Sequence, residues 1–228
     1  MKNIIIKTAF ILIAVSFLPL AAQNYVGVTG GANISNFRLN VRDADDVTAK
    51  SRTLYGFGAA FGLQLSEGIY LHTEPMFLQK GSRIDDNDPE DLDVDITMEF
   101  IEVPVMLKFE FGDQAVKPFF MGGASMGFLL SSTLEAESAG FPFSGDVKDI
   151  TNSTNFSGVV GAGVSIDAGK ATILLEGLYN HGFTNLNKGG DFELRSGNIV
   201  ETGNLDPRDE FFTKGFQVQA GVVFPIGG

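Results

Sequence analysis

The chain has 228 residues, a formal net charge of −12, 28 glycines, 21 phenylalanines and no cysteine or tryptophan. The absence of cysteine excludes disulfides and cysteine-based metal sites. The acidic balance argues against nucleic acid as a partner, because phosphate binding needs clustered Lys and Arg. Outside the N-terminal segment no apolar run reaches the length of about 18 residues that a membrane-spanning helix needs.

The first 22 residues have the pattern of a secretory signal peptide. Lys2 and Lys7 supply positive charge, Ala9–Leu20 is the apolar core, and Ala21 and Ala22 precede a predicted cut at Gln23. The apolar core is short for the alternative, an uncleaved anchor. We predict a signal peptide over residues 1–22 and one domain over residues 23–228.

Apolar and polar residues alternate in eight segments after the signal. These segments are Tyr25–Phe37, Leu54–Leu65, Ile69–Lys80, Phe100–Phe111, Lys117–Leu130, Phe156–Asp167, Ala171–Phe183 and Phe212–Ile226. A period of two predicts strands with one apolar and one polar face. Each segment has the roughly 9–11 residues that a tilted strand needs to cross a bilayer.

Short and long connections alternate between these segments. The short turns are Ser66–Gly68, Gly112–Val116 and Asp167–Lys170, and the long polar loops lie near residues 40–53, 81–97, 131–155 and 184–211. This alternation is typical of outer-membrane barrels with periplasmic turns and extracellular loops. Unpaired backbone groups facing lipid cost several kcal/mol, so the sheet must close. We therefore predict an all-β fold, a closed antiparallel transmembrane up-and-down β-barrel of about eight strands.

Two residue types suggest local features of this barrel. Pro104 has no N–H for the ladder and predicts a bulge or break in the fourth strand. Glycines on the polar faces, such as Gly62 and Gly163, would leave room in a narrow interior for long charged side chains from other strands.

Six motifs follow one another along the chain: GVTGGANISNF at Gly27–Phe37, EPMFLQKG at Glu74–Gly81, FIEVPVMLKFEF at Phe100–Phe111, PFFMGGASMGFLL, FSGVVGAGVSI and YNHGFTNL at Tyr179–Leu186. Their order and spacing resemble those of the PorT-like family of outer-membrane β-barrel proteins. The resemblance covers nearly the whole chain after the signal. It implies an outer-membrane barrel of about eight strands. The family's namesake is associated with a secretion system, which implies an envelope or secretion role but no defined chemistry.

Seven charged or titratable residues fall on the predicted polar faces. They are His72, Glu74, Lys80, Glu102, Lys108, Glu110 and Glu176. Buried charges must be paired, and this set contains both signs. We predict a structural network of ion pairs in the interior, with an ion path or a pair of catalytic carboxylates as the alternative. No catalytic, cofactor-binding or metal-binding residue is predicted.

Two other groups of residues were considered for chemistry. The spacing of Asp91, Asp93 and Asp95 is similar to a calcium loop but lacks its Gly and closing Glu, so an acidic surface loop is favoured. His181 lies near a strand end, where some small barrels carry lipid-modifying sites. It has no Ser two residues away, because Phe183 occupies that position.

The sequence favours a non-enzymatic integral outer-membrane protein that uses no cofactor. Its expected partners are outer-membrane lipid, lipopolysaccharide and other envelope proteins, and the oligomeric state is left open. A small pore, a surface adhesin and a lipid-modifying enzyme remain as alternatives. The packed interior expected of eight strands argues against free diffusion of solutes.

Overall fold

A computed structural model describes residues 23–40, 48–85, 93–138 and 141–226. The predicted signal peptide lies outside these residues. The strands are β1 (Asn24–Asn40), β2 (Thr48–Ser66), β3 (Ile69–Thr73), β4 (Met76–Asp85), β5 (Asp93–Glu110), β6 (Val116–Ser138), β7 (Phe141–Asp146), β8 (Thr154–Asp167), β9 (Thr172–Gly182), β10 (Gly190–Ser196), β11 (Ile199–Leu205) and β12 (Glu210–Ile226). Among the described residues no helix is long and apolar enough to cross a membrane.

All twelve strands belong to one antiparallel sheet. β1 pairs with β2 on one side and with β12 on the other, from Asn24 opposite Ile226 to Asn40 opposite Glu210. β2 pairs with β3 and β4, which both pair with β5. The pairings continue through β6, β8, β9 and β12, and so return to β1.

β3 and β4 occupy one position in this circuit. Thr73 lies opposite Phe61 and Val105, and Met76 lies opposite Gly58 and Glu102, so the register is the same before and after the gap. The β2–β4 ladder is irregular between Ser51 and Gly56, and the position shared by β3 and β4 is interrupted at Glu74 and Pro75. Even there the Ala59 amide donates to the Pro75 carbonyl at 3.1 Å.

The expectation of a bulge or break at Pro104 is wrong for the fourth predicted strand. Pro104 lies in register opposite Ser125, and the irregularity in the β5–β6 ladder lies between Glu99 and Phe100. The interruption is in the neighbouring strand, beside Pro104. Since neither Pro104 nor Pro75 has an N–H, β5 and the segment between β3 and β4 cannot form a full set of ladder hydrogen bonds at this point.

The sheet has two ends of different character. The turn end carries the three short connections that follow β2, β5 and β8, together with residues 23 and 226. The hairpin end carries the long connections. These were expected to be loops, but β2, β4, β5 and β6 extend into them and β7, β10 and β11 lie wholly within them. Pairing between neighbouring chains continues there because backbone N–H and C=O groups still need partners.

The two faces of the sheet differ in exposure. Large apolar side chains are exposed on one face, among them Val28, Phe57 and Phe183 at 64%, 58% and 57%. The opposite face, called the interior below, buries polar and apolar side chains together. One apolar cluster lies toward the turn end and includes Tyr25, Tyr70, Phe119 and Leu174. A second lies toward the hairpin end and includes Phe37, Phe100, Phe143 and Leu186.

Candidate functional site

The interior holds all seven of the titratable residues singled out in the sequence. His72, Glu74, Lys80, Glu102, Lys108 and Glu176 are at most 5% exposed. The Glu110 side chain is 11% exposed. Strand alternation places them there, because their neighbours along each strand carry the apolar outer face. The structure divides the seven into three groups.

The first group is an ion pair between β4 and β5. Lys80 Nζ lies 2.6 Å from Glu102 Oε1. Ser125 on β6 donates its hydroxyl to the other carboxylate oxygen at 2.6 Å. The Phe100 ring centroid lies 5.4 Å from Lys80 Nζ, so the ammonium also faces an aromatic ring.

The second group lies at the turn end. Lys108 Nζ is 3.1 Å from Glu110 Oε2 and donates to Ser165 Oγ at 3.0 Å. Ser165 in turn donates to the same Glu110 oxygen at 2.7 Å. The Phe119 ring centroid lies 4.1 Å from Lys108 Nζ, and Lys117 approaches the other Glu110 oxygen at 3.6 Å. Each charge in this group therefore faces an opposite charge.

The third group joins His72, Glu74 and Glu176. His72 Nε2 lies 3.1 Å from Glu74 Oε1. Gln219 on β12 donates its amide to Glu74 Oε2 at 2.6 Å and to Glu176 Oε1 at 2.7 Å. The Tyr25 hydroxyl lies 2.8 Å from His72 Nδ1. Within the described part of the chain, this is the set of side chains whose donor atoms are spaced closely enough to hold a metal ion.

The uncharged partners of these groups were not among the predicted site residues. Tyr25, Ser125, Ser165 and Gln219 each bond a buried charged or titratable residue. Ser125, Ser165 and Gln219 fall on the polar faces of their predicted strands, so the alternation placed them inside. What the sequence could not supply is the register between strands distant in the chain, which decides which polar side chains meet.

The acidic segment considered for calcium binding is only partly described. Asp86, Asp88, Glu90 and Asp91 lie outside the described residues. Asp95 was expected in a loop and lies instead in β5, where Arg83 donates to both of its carboxylate oxygens at 2.9 Å. Arg52 lies 3.7 Å away. The hydrogen bonds from Arg83 hold the pKa of the Asp95 carboxyl below its usual value, and the charge of Arg52 acts in the same direction.

His181 lies on β9 toward the hairpin end with both ring nitrogens near polar groups. Tyr179 Oη lies 3.3 Å from Nδ1, and an Arg38 guanidinium nitrogen lies 3.3 Å from Nε2. No serine is among the hydrogen-bond partners recorded for His181 in the described residues. A serine nucleophile activated by this imidazole would need such a contact.

Comparison with known proteins places the chain among outer-membrane proteins. A sequence profile described as "Outer membrane protein beta-barrel domain" matches residues 21–188. No curated protein matches the chain.

Several solved structures are similar to this chain. OprG from Pseudomonas aeruginosa is 10% identical with a TM-score of 0.49, over 89% of this chain and 96% of that chain. Neisserial surface protein A is 13% identical with a TM-score of 0.43, over 89% and 97%. Ail, the attachment invasion locus protein of Yersinia pestis, is 13% identical with a TM-score of 0.43, over 89% and 99%. Because the profile covers most of its length, the chain belongs to the outer membrane protein beta-barrel domain family and is an outer-membrane β-barrel protein.

Proposed function

We propose that residues 23–228 form a closed barrel with eight strand positions around its wall, one of which is shared by β3 and β4. We also propose that residues 1–22 are the export signal. The circuit of pairings from β1 back to β1 supports closure. The exposed apolar face supports contact with lipid. By analogy with other outer-membrane barrels, the turn end faces the periplasm and the hairpin end faces outward. The ordered motifs favour the PorT-like branch of the family.

The proposed function is non-enzymatic: the barrel anchors a surface that binds another envelope protein. The observation that carries this proposal is the exposed edge of the sheet at the hairpin end. In the described residues β11 is paired only with β10, and Ile199 and Val200 on β11 are about half exposed. An unpaired edge offers backbone N–H and C=O groups to a strand of a partner protein.

A concave surface lies next to this edge. A cavity of about 720 Å³ between β7 and β10 is lined by both charged and apolar residues, including Asp146, Val147, Phe192, Glu193 and Arg195. Aromatic residues and Arg, represented here by Phe192 and Arg195, are enriched at protein interfaces. By the resemblance to PorT-like proteins, the partner would belong to an envelope-assembly or secretion complex.

The interior argues against a pore as the main function. The Lys80–Glu102 pair lies between the turn-end and hairpin-end apolar clusters, since Glu102 lies on β5 between Met106 of the first and Phe100 of the second, so side chains fill the space that a conducting path would need. Eight strands leave an interior just wide enough for such filling. A small-pore function would require both clusters to move.

Site-specific photocrosslinking in cells tests the partner proposal. A photoreactive amino acid at Val200, on the exposed edge, is expected to give a reproducible protein adduct that mass spectrometry can identify. The matched control is the same amino acid at Phe128, which is 49% exposed on the apolar face of β6. If Val200 yields only the lipid and lipopolysaccharide adducts expected at Phe128, the partner function at this edge is wrong.

A further inference from the structure

Three side chains from opposite walls of the barrel converge in its interior. His72 lies on β3, Glu74 lies at the interruption between β3 and β4, and Glu176 lies on β9. One donor atom of each lies within 4.8 Å of the others. His72 and Glu74 are fully buried, and Glu176 is 5% exposed.

The surrounding residues fix the orientation of these three side chains. Tyr25 holds His72 through Nδ1, and Gln219 holds one oxygen of each carboxylate. The other three atoms, His72 Nε2, Glu74 Oε1 and Glu176 Oε2, are buried and accept or donate no hydrogen bond of good geometry, and the first two lie 3.1 Å apart as a His–carboxylate contact. Metal sites in proteins have this construction, in which outer groups hold one side of each ligand and the other side faces the ion.

The charges around the cluster call for a cation. Two carboxylates lie together here, and buried carboxylates are not left ionised without a positive partner. Lys108 in the described interior is already bonded to Glu110 and Ser165. Without a metal, His72 Nε2–H would donate to Glu74 Oε1 and a proton would be shared between the two carboxylates. A single metal ion would replace both protons and bond all three atoms at once.

We propose that His72 Nε2, Glu74 Oε1 and Glu176 Oε2 bind a divalent transition-metal ion of the Zn²⁺ class. An imidazole with two carboxylates is a nitrogen–oxygen donor set that suits zinc and its neighbours, whereas Ca²⁺ and Mg²⁺ prefer oxygen alone. Ligands on a tetrahedral zinc with bonds of about 2.1 Å lie roughly 3.4 Å apart. The 3.1 Å separation of His72 Nε2 and Glu74 Oε1 is close to that spacing.

A metal ion at this site would link the interrupted strand position of β3 and β4 to β9. Glu74 lies in the gap between β3 and β4, and Glu176 reaches it from β9, which is separated from β3 by β12, β1 and β2 in the strand order. A metal bridge between them would stabilise the barrel at the point where backbone bonds are missing. The inference concerns the interior and is independent of the partner proposed for β11.

An approach to the site exists from the turn end. A cavity of about 320 Å³ opens there and is lined by Tyr25, Tyr70 and Lys108 among others. Tyr25 lines this cavity and its hydroxyl contacts His72, so Tyr25 lies between the cavity and the cluster. An ion entering from the turn end would displace the Tyr25 ring.

Zinc binding to the full mature chain, refolded in detergent without a polyhistidine tag and stripped with EDTA, tests the proposal. Calorimetric titration with ZnCl₂ is expected to give one site per chain, and zinc is expected to raise the unfolding temperature. Glu176→Gln keeps the side-chain shape and is expected to weaken binding at least about tenfold. Glu102→Gln, which changes a buried carboxylate outside the cluster, and His181→Gln, which removes the other histidine of the chain, are expected to leave zinc affinity unchanged.

A second measurement does not depend on any variant folding. In the unsubstituted protein the ¹⁵N resonance of His72 Nε2 is expected to shift on addition of one equivalent of Zn²⁺, while that of Nδ1 moves less. The proposal is overturned if no zinc binds, if the His72 resonances do not respond, or if binding is lost in His181→Gln and kept in Glu176→Gln.

Discussion

The Lys80–Glu102 pair is buried between β4 and β5, so the loss of one partner leaves a charge inside the barrel. We expect Glu102→Ala to lower the free energy of unfolding by about 3–5 kcal/mol, because Lys80 would be left buried without its carboxylate partner. Thermal unfolding in detergent measures the change. Membrane insertion should persist, because the outer apolar face is untouched.

A double variant separates the effect of an unpaired buried charge on stability from the effect of lost packing. Replacing Lys80 by Met together with Glu102→Ala removes both charges, and we expect it to recover part of the lost stability. An unfolding temperature for Glu102→Ala equal to that of the unsubstituted protein would contradict the structural role of the pair.

Gly62 makes room for an aromatic ring. A Cβ at this position would lie 2.1 Å from the Tyr25 ring, so the expectation that interior glycines accommodate charged side chains is wrong here. We predict that Gly62→Ala displaces Tyr25, breaks its contact with His72 and costs about 1–3 kcal/mol. Thermal unfolding compares it with Gly122→Ala, whose Cβ would meet its nearest atoms at 3.7 Å. Equal stability of the two variants would count against this packing.

The Arg83–Asp95 contact joins β4 to β5 beyond the apolar band. Since the pKa of Asp95 is lowered in the folded protein, its contribution to stability is present above its unfolded pKa of about 3.9 and is lost as pH falls through the lower folded value. We predict that carboxyl ¹³C shifts of Asp95 titrate below pH 3.9, about the usual midpoint, and that Arg83→Gln raises the midpoint. A midpoint unchanged by this substitution would show that Arg83 is not the cause.

At the scale of elements, the outer strands of the hairpin end are joined weakly to the sheet. β10 meets β7 through a single residue pair, Arg195 opposite Ser144. We predict that backbone amides of β11 exchange with solvent at least roughly tenfold faster than those of β1, which is paired on both sides. Hydrogen exchange followed by mass spectrometry measures this, and equal protection would show that the hairpin is held by contacts other than this ladder.

The same elements show where sequence analysis fell short. Phe192 and Leu194 alternate with Asp191, Glu193 and Arg195. This is a strand pattern inside a segment that the sequence predicts to be a loop. Gly197, with φ of 58°, makes the turn into β11. The pattern was too short and too charged to separate from loop composition, whereas the eight long segments carried enough alternation to be recognised.

Over the whole molecule, the alternation predicted the order of the long strands and which face of each is buried. It did not predict which interior side chains meet. The sequence placed His72, Glu74 and Glu176 on polar faces without indicating that they meet. Their meeting depends on the stagger of β3, β9 and β12, and stagger is set by many backbone pairings between segments far apart in the chain. The missing N–H of Pro104 indicated an irregularity, but not that the interruption would lie in the adjacent strand, at Glu74 and Pro75.

The filled interior leads to a prediction about transport. Phe100, Leu129, Leu134 and Phe143 are buried toward the hairpin end, and Tyr25, Tyr70 and Phe119 toward the turn end, so an ion would meet apolar side chains on either side of the charged layer. Moving an ion through such a layer without water is strongly unfavourable. We therefore expect no stable single-channel conductance in planar bilayers, whereas a 16-stranded porin inserted under the same conditions should conduct. Insertion can be checked independently by protease protection in liposomes of the same lipid. Stable conductance steps from the inserted protein would mean that the two clusters open, and would favour the alternative of a small pore.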